Sequence, residues 1–250
     1  MKLALLSDIH ANIQAFEACL VHARQQGAQQ FALLGDLVGY GGDPVAVIER
    51  AQQLAREGAL LVKGNHDAMA VAPPAVVNSV GESTAAWTHA QLNVSQRDWL
   101  HHLPMTLQQQ KLLLVHASLD GPELWRYVID QRAAGASLDA AATMTEVRYI
   151  FGGHVHLQTL YYRGAGSGLM KFTPTPGVAL PVPQHRHWLA TIGSVGQPRD
   201  GNPQAMYVLF DTEKLQLTFH RVDYDHHLAA TAIRQAGLPV LFADRLGQGR

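Results

Sequence analysis

KLALLSDIHANIQAFEACLVHARQQ, residues 2–26, decides the fold class. It opens with a short apolar run, KLALL, and breaks at Ser7 and Asp8. The spacing then changes. Ile13, Phe16, Leu20 and Ala23 recur at helical intervals and mark one face of a helix over 12–26. An apolar strand running into an amphipathic helix is the first half of a layered α/β unit, and the same alternation continues downstream. FALL (31–34) precedes a helical pattern over 44–57, with Asp43 as N-cap and Pro44 as first helical residue. ALLVK (59–63) follows, then a helical stretch over 75–103 with Trp87, Trp99 and Leu100 as core anchors, then KLLLV (111–115) and RYIF (148–151).

After residue 157 the character shifts. QTLYYRG, HWLATI, AMYVLFD and LQLTFHRVDYD read as strands between Gly, Pro or Asp turns and suggest a second, more antiparallel sheet. AGSG at 165–168 reads as a flexible hairpin tip. From His226 the helical pattern returns, broken by Gly-Leu-Pro at 237–239. Nothing resembles a linker, so the expectation is one α/β domain over residues 1–250 with two sheets.

Bulk properties narrow the function. About half of the residues are apolar and 16% are charged, which excludes a disordered chain. A formal net charge of -1 gives no support for bulk binding to nucleic acid or an anionic membrane. No run approaches a membrane span, and the apolar start is too short for a signal peptide. The single cysteine, Cys19, lies on the apolar helix face, where a buried structural thiol is expected. A reducing cytoplasmic setting fits these features.

The chemistry lies just beyond the apolar runs. KLALL ends in SDIH, FALL in GD, ALLVK in GNHD, KLLLV in HAS and RYIF in GGHVH. In α/β sheets, ligands gather beyond the carboxyl ends of the strands. Carboxylates and neutral imidazoles without thiolates are the donor set of Zn, Mn, Fe or Ni. Asp8, His10, Asp36, Asn65, His116, His154 and His156 offer seven candidate donors, too many for one ordinary site and suited to two metals sharing a carboxylate.

The order D-x-H, GD, GNH with a following acid, a lone His, and GH-x-H resembles the calcineurin-like metallophosphoesterase superfamily. SDIHAN, GDLVGYGGDP, GSVGQPRDG and the final LPVLFADRL are similar to a bacterial branch described as phosphodiesterases. The resemblance implies a four-layer αββα sandwich of two mixed sheets flanked by helices. It also implies a dinuclear site for divalent ions, manganese among them. Asp8, His10 and His156 would hold one ion, Asn65, His116 and His154 the other, with Asp36 between them. A hydroxide held by both ions would attack phosphorus, His66 would protonate the leaving oxygen, and Asp67 would orient His66. The implied substrate is a small phosphate ester or nucleotide.

Departures sharpen this reading. Where related serine/threonine protein phosphatases continue GD with an Asp and an Arg, this chain has Gly39 and Tyr40. That favours a diester over a phosphomonoester or phosphoprotein; dinucleoside polyphosphates stay open as substrates, and a scaffold that has lost part of the site is the non-catalytic rival. Glycines 39, 41 and 42 suggest a tight turn. Val155 stands where the family usually has Thr, and Thr191-Ile192 where it often has Asn-Pro. Tyr40 and Arg199 are candidate substrate contacts, the alternative for Arg199 being a turn salt bridge. Trp125 and Tyr127 either line a cleft near His116 or simply pack.

Overall fold

The computed structural model describes residues 1–163 and 168–250. Strand β1 (Lys2–Leu6) leads into helix α1 (Ile13–Gln25), followed by β2 (Gln30–Leu33), α2 (Pro44–Arg56), β3 (Leu60–Leu61) and α3 (Asn65–Val71). Next come α4 (Ala85–Gln91), α5 (Val94–His101), β4 (Thr106–Gln109), β5 (Leu112–Val115), α6 (Gln131–Ala142) and β6 (Tyr149–Gly152). The remainder comprises β7 (Gln158–Arg163), β8 (Leu169–Phe172), β9 (Ala179–Pro181), β10 (Trp188–Ile192), β11 (Ala205–Asp211) and β12 (Gln216–Val222). Helices α7 (His226–Gln235) and α8 (Val240–Leu246) close the chain.

The strands form two sheets, ordered β3-β2-β1-β11-β12-β9 and β4-β5-β6-β10-β7-β8. Both are mixed. β1 pairs parallel with β2 and antiparallel with β11; β10 pairs parallel with β6 and antiparallel with β7.

The layers follow from side-chain alternation, because successive strand residues point to opposite faces. On β1, Leu3 and Leu5 point between the sheets, where they join Leu112, Leu114, Tyr149, Phe151 and Phe210. Ala4 and Leu6 point outward and pack with Phe16 and Leu20 of α1 and Val47 and Ile48 of α2. The second sheet behaves alike: Leu113, Val115 and Ile150 turn outward onto Leu138 and Ala141 of α6. Helix, sheet, sheet and helix thus stack as a four-layer αββα sandwich.

Local signals explain the helices. Asn12 caps α1 by accepting from the Ala15 amide, and Asp43 and Pro44 occupy the predicted start of α2, although the Asp43 side chain makes no capping bond. Cys19 is fully buried, and burial pushes its thiol up. Leu100 is buried, while Trp87 and Trp99 pack half-buried against core clusters.

Several expectations change. The strands after residue 157 do not make a sheet of their own: β7, β8 and β10 complete one sheet, and β9, β11 and β12 the other. Helix α6 was not foreseen, because QRAAGASLDAAA is mostly alanine and gives little apolar contrast. The expected helix over 75–103 begins only at a short 3₁₀ turn, Glu82–Thr84. Residues 165–167 of the expected hairpin tip fall outside the described residues. No helix among the described residues is long and apolar enough to cross a membrane.

Candidate metal centre

The loops that follow β1, β2, β3, β5 and β6 meet at one end of the sandwich. Three of the five, those after β1, β2 and β6, deliver their side chains through an unusual backbone. Asp8, His10, Asp36, His154 and His156 all adopt left-handed conformations, with φ of 54°, 51°, 52°, 67° and 57°. Such a conformation costs a non-glycine L-residue about 1–2 kcal/mol, and strain of this kind concentrates at functional sites. Asp8, His10, Asp36, His116, His154 and His156 are all buried.

The tautomers are set by the backbone. His10 Nδ1 donates to the Val38 carbonyl (3.2 Å), His116 Nδ1 to Leu34 (2.7 Å), His156 Nδ1 to Gln197 (2.6 Å), and His154 Nε2 to Trp125 (2.9 Å). With one ring nitrogen committed, the other of each imidazole, when neutral, presents its lone pair. These nitrogens face one another: His10 Nε2 lies 3.1 Å from His156 Nε2, and His116 Nε2 lies 3.2 Å from His154 Nδ1. Paired lone pairs at that distance repel unless positive charge sits with them.

Carboxylates complete both groups. Asp8 Oδ2 accepts from the His154 amide, while Asp8 Oδ1 has no hydrogen-bond donor among the described residues and lies 3.1 Å from His156 Nε2. Asp36 Oδ1 accepts from the His66 amide; its Oδ2 is 3.8 Å from His10 Nε2 and 3.3 Å from His116 Nε2, facing both groups. Asn65 Oδ1 is 3.2 Å from His116 Nε2. Donor atoms of Asp8, His10 and His156, and of Asp36, His116 and His154, lie within 4.8 Å of each other in each set. The buried carboxylates and the histidines also shift one another. Burial opposes charging of His116, but Asp36 and Asp8 outweigh it and raise the imidazole to about 10. His154, by contrast, is lowered to about 4, chiefly by burial and then by His116. The residues fit divalent cations: buried carboxylates, imidazoles of fixed tautomer, and an orphaned oxygen.

His66 differs from the other histidines. It sits in the first turn of α3, with one ring nitrogen within 4.8 Å of donor atoms on His10 and Asp36. Its imidazole has no hydrogen-bond partner among the described residues, and it packs against Tyr40 with ring centroids 4.4 Å apart. Burial lowers its pKa, with Asp36 opposing. Gly39 explains the tight turn beside it. At φ 90°, a Cβ there would lie 2.5 Å from His66 Nδ1.

Asp67 does not take the orienting role expected of it. Its Oδ1 accepts from the Leu37 and Val38 amides (2.8 and 3.3 Å) and its Oδ2 from the Gly64 amide (2.9 Å). Adjacent residues on a helix project about 100° apart, so Asp67 turns inward and ties the loop after β2 to the start of α3. It supports the backbone of the site and does not meet the imidazole of His66.

A cleft of about 560 Å³ opens onto Asn65, His66 and His154 and is walled by Tyr40, Trp125 and Tyr127. Tyr127 stacks on His154 with centroids 4.1 Å apart, and Trp125 meets the edge of His116 at 5.9 Å. Both aromatic residues are therefore at the site. Arg199 makes no turn salt bridge among the described residues. Its Nη2 donates to Gln197 Oε1 (2.6 Å), and its guanidinium lies over the Tyr40 ring at 5.6 Å.

Comparison with known proteins agrees with this geometry. The chain is 29% identical to the uncharacterized protein MJ0912 of Methanocaldococcus jannaschii, over 99% of this chain and 98% of that one. It is 28% identical to phosphodiesterase YfcE of Escherichia coli K12, covering 87% and 91%. A metallophosphoesterase from Sphaerobacter thermophilus superposes over 100% of this chain and 99% of its own, with a TM-score of 0.87 at 32% identity. The hypothetical protein PH1004 from Pyrococcus horikoshii shares the fold, with a TM-score of 0.77 at 19% identity over 100% and 98% of the two chains. Residues 1–215 match the calcineurin-like phosphoesterase superfamily domain, and the chain belongs to that superfamily as a metal-dependent phosphoric ester hydrolase.

Proposed function

We propose that this protein is a phosphodiesterase with a dinuclear metal site. The observation that carries the reading is the pair of facing imidazole couples, His10 with His156 and His116 with His154, on either side of Asp36 Oδ2. Asp8, His10 and His156 would hold one divalent ion, Asn65, His116 and His154 the other, with Asp36 shared; Mn, Fe, Ni and Zn all suit this donor set. Ions bound there supply Lewis acidity to the phosphoryl oxygens and acidify the attacking water.

The chain's own residues do the rest. Asp8 and Asp36 set the charge of the pocket, and the carbonyls of Leu34, Val38, Trp125 and Gln197 hold the four imidazoles in their donor tautomers. His66, whose ring is tied to no carbonyl among the described residues, is free to carry a proton and deliver it to the leaving oxygen. Gly39 leaves room for that ring.

Gly39 and Tyr40 stand where a phosphomonoesterase of the protein-phosphatase type would carry Asp and Arg, which supports diester over monoester substrates. The relative named phosphodiesterase is consistent with that choice. The test is hydrolysis of bis-p-nitrophenyl phosphate against p-nitrophenyl phosphate by Mn²⁺-loaded protein. The diester is expected to give the higher kcat/KM, and a strong monoester preference would overturn the assignment.

A further inference from the structure

The proposed chemistry uses the metal pocket, yet the positive charge beside it is unaccounted for. Tyr40, itself left-handed at φ 61°, places its ring 4.6 Å from His10 and 4.4 Å from His66. The same ring carries the Arg199 guanidinium at 5.6 Å and packs on Phe242 of α8 at 5.0 Å. Phe242 in turn carries the guanidinium of Arg245 at 5.9 Å. Two arginines thus flank an aromatic pair, one ring of which lines the catalytic cleft.

Neither arginine has a carboxylate partner among the described residues. The acids next to them in sequence are committed elsewhere, Asp200 to Arg221 and Asp244 to Arg234. Arg199 directs Nε and Nη2 to Gln197 Oε1 and lies against Tyr40, and among the described residues its Nη1 donates no hydrogen bond and Arg245 donates none from its side chain. Burial and the charge of Arg199 lower the pKa of Arg245, as expected when two cations sit together without a counter-ion. Gln197 also fixes the position of Arg199 relative to the pocket, since its own carbonyl holds His156.

We propose that Arg199 and Arg245 form an anion subsite that takes a second phosphate of the substrate, beside the one that is cleaved. A guanidinium fork matches phosphate oxygens in pairs, which a lysine cannot do. Arg199 stands over the Tyr40 ring, whose neighbours on the pocket side are His10 and His66, and Arg245 stands over Phe242, the next ring away from the pocket. The scissile phosphate is therefore left to the metal pocket. The substrate class becomes a phosphodiester or anhydride bearing another phosphate nearby, as an oligonucleotide or a nucleoside polyphosphate does.

This rests on the phosphodiesterase reading, and its test keeps the two apart. Mn²⁺-loaded protein is assayed on thymidine 5′-(p-nitrophenyl phosphate) and on the same ester with a 3′-phosphate; diadenosine tetraphosphate is compared with diadenosine diphosphate. A charge-assisted pair predicts roughly tenfold higher kcat/KM for the extra phosphate, declining with added salt. That preference should collapse toward unity in Arg245→Ala and in Arg199→Ala and partly survive in Arg245→Lys. Preference in the first pair points to a nucleic-acid fragment and in the second to a polyphosphate chain; either supports the subsite. Equal rates within both pairs overturn it, as does a variant loss selective for p-nitrophenyl phosphate over its diester, which would place the arginines on the scissile group. Calorimetric binding of thymidine 3′,5′-bisphosphate supplies a readout independent of turnover: Kd should rise roughly tenfold in Arg245→Ala, and an unchanged Kd counts against the proposal. Failure of bis-p-nitrophenyl phosphate hydrolysis strikes the phosphodiesterase reading alone. Circular dichroism confirms that each variant folds.

Discussion

The division of labour among the histidines rests on where each spare ring nitrogen goes. Four imidazoles give a proton to a backbone carbonyl and turn the other nitrogen into the pocket, whereas His66 is tied to none among the described residues. If His66 supplies a proton, its value depends on the leaving group. A nitrophenolate leaves without help; a sugar alkoxide does not. His66→Gln is therefore expected to lower kcat on nucleotide-type diesters by about 10²–10⁴-fold and on nitrophenyl esters far less; equal losses on both would assign His66 a positioning role. Asp36 acts differently, because its Oδ2 faces both imidazole couples. Asp36→Asn should reduce the metal content measured by elemental analysis and the activity on every substrate together. Retention of all bound metal with full activity would remove Asp36 from the shared position. At this scale the sequence was informative, since Asp, Asn and His after apolar runs are conspicuous. It could not show that Asp67 faces three amides rather than its neighbour, because side-chain direction depends on the turn of helix α3.

Strands β11 and β12 illustrate a stability effect separate from the site. Tyr207 and His220 are directly opposed across this antiparallel pair and stack with centroids 4.7 Å apart at 12°. His22 on α1 hydrogen-bonds the Tyr207 hydroxyl (2.8 Å), and His220 Nε2 is buried without a partner among the described residues. Burial, then the charges of His22 and Lys2, hold the His220 imidazole at about 4. In the unfolded chain it returns to its ordinary value near 6.5. Above about 6.5 both states are neutral and the full stability is present. Between 6.5 and 4 the unfolded state takes up a proton that the folded state does not, so this contribution is lost as pH falls. Metal-free His220→Phe should therefore lose fewer degrees of melting temperature between pH 7.5 and 5 than the metal-free parent; identical losses would show that His220 is not responsible. Element-level legibility followed residue contrast. Helices α1 and α2 have clear apolar faces, whereas α6 is alanine-rich, α3 hides within GNHD, and the short strands β8 and β9 are mostly exposed edges.

At the scale of the molecule, the site exists only because loops from both sheets converge. Asp8, His10, Asp36 and Asn65 follow strands of one sheet, and His116, His154 and His156 follow strands of the other. We propose that residues 1–250 fold as one domain and that bound metal ties the sheets together. A ligand that binds only the folded state at 100-fold excess over Kd adds about 2.7 kcal/mol. For a chain of this size that raises the melting temperature by roughly 5–10 °C. Chelation should remove that gain in a single shifted transition, and two separate transitions would argue against one domain. The ordered strand ends made the fold readable from the sequence and named the residues that the structure brings together. The cleft wall was less readable, because Trp125 and Tyr127 sit in a segment whose placement only the assembled tertiary structure supplies. The most direct test is anomalous diffraction from crystals of the Mn²⁺-loaded protein. The account predicts two peaks roughly 3.5–4 Å apart, with His156 on one, His154 on the other and Asp36 between them. A single peak ligated by both His154 and His156 would contradict it.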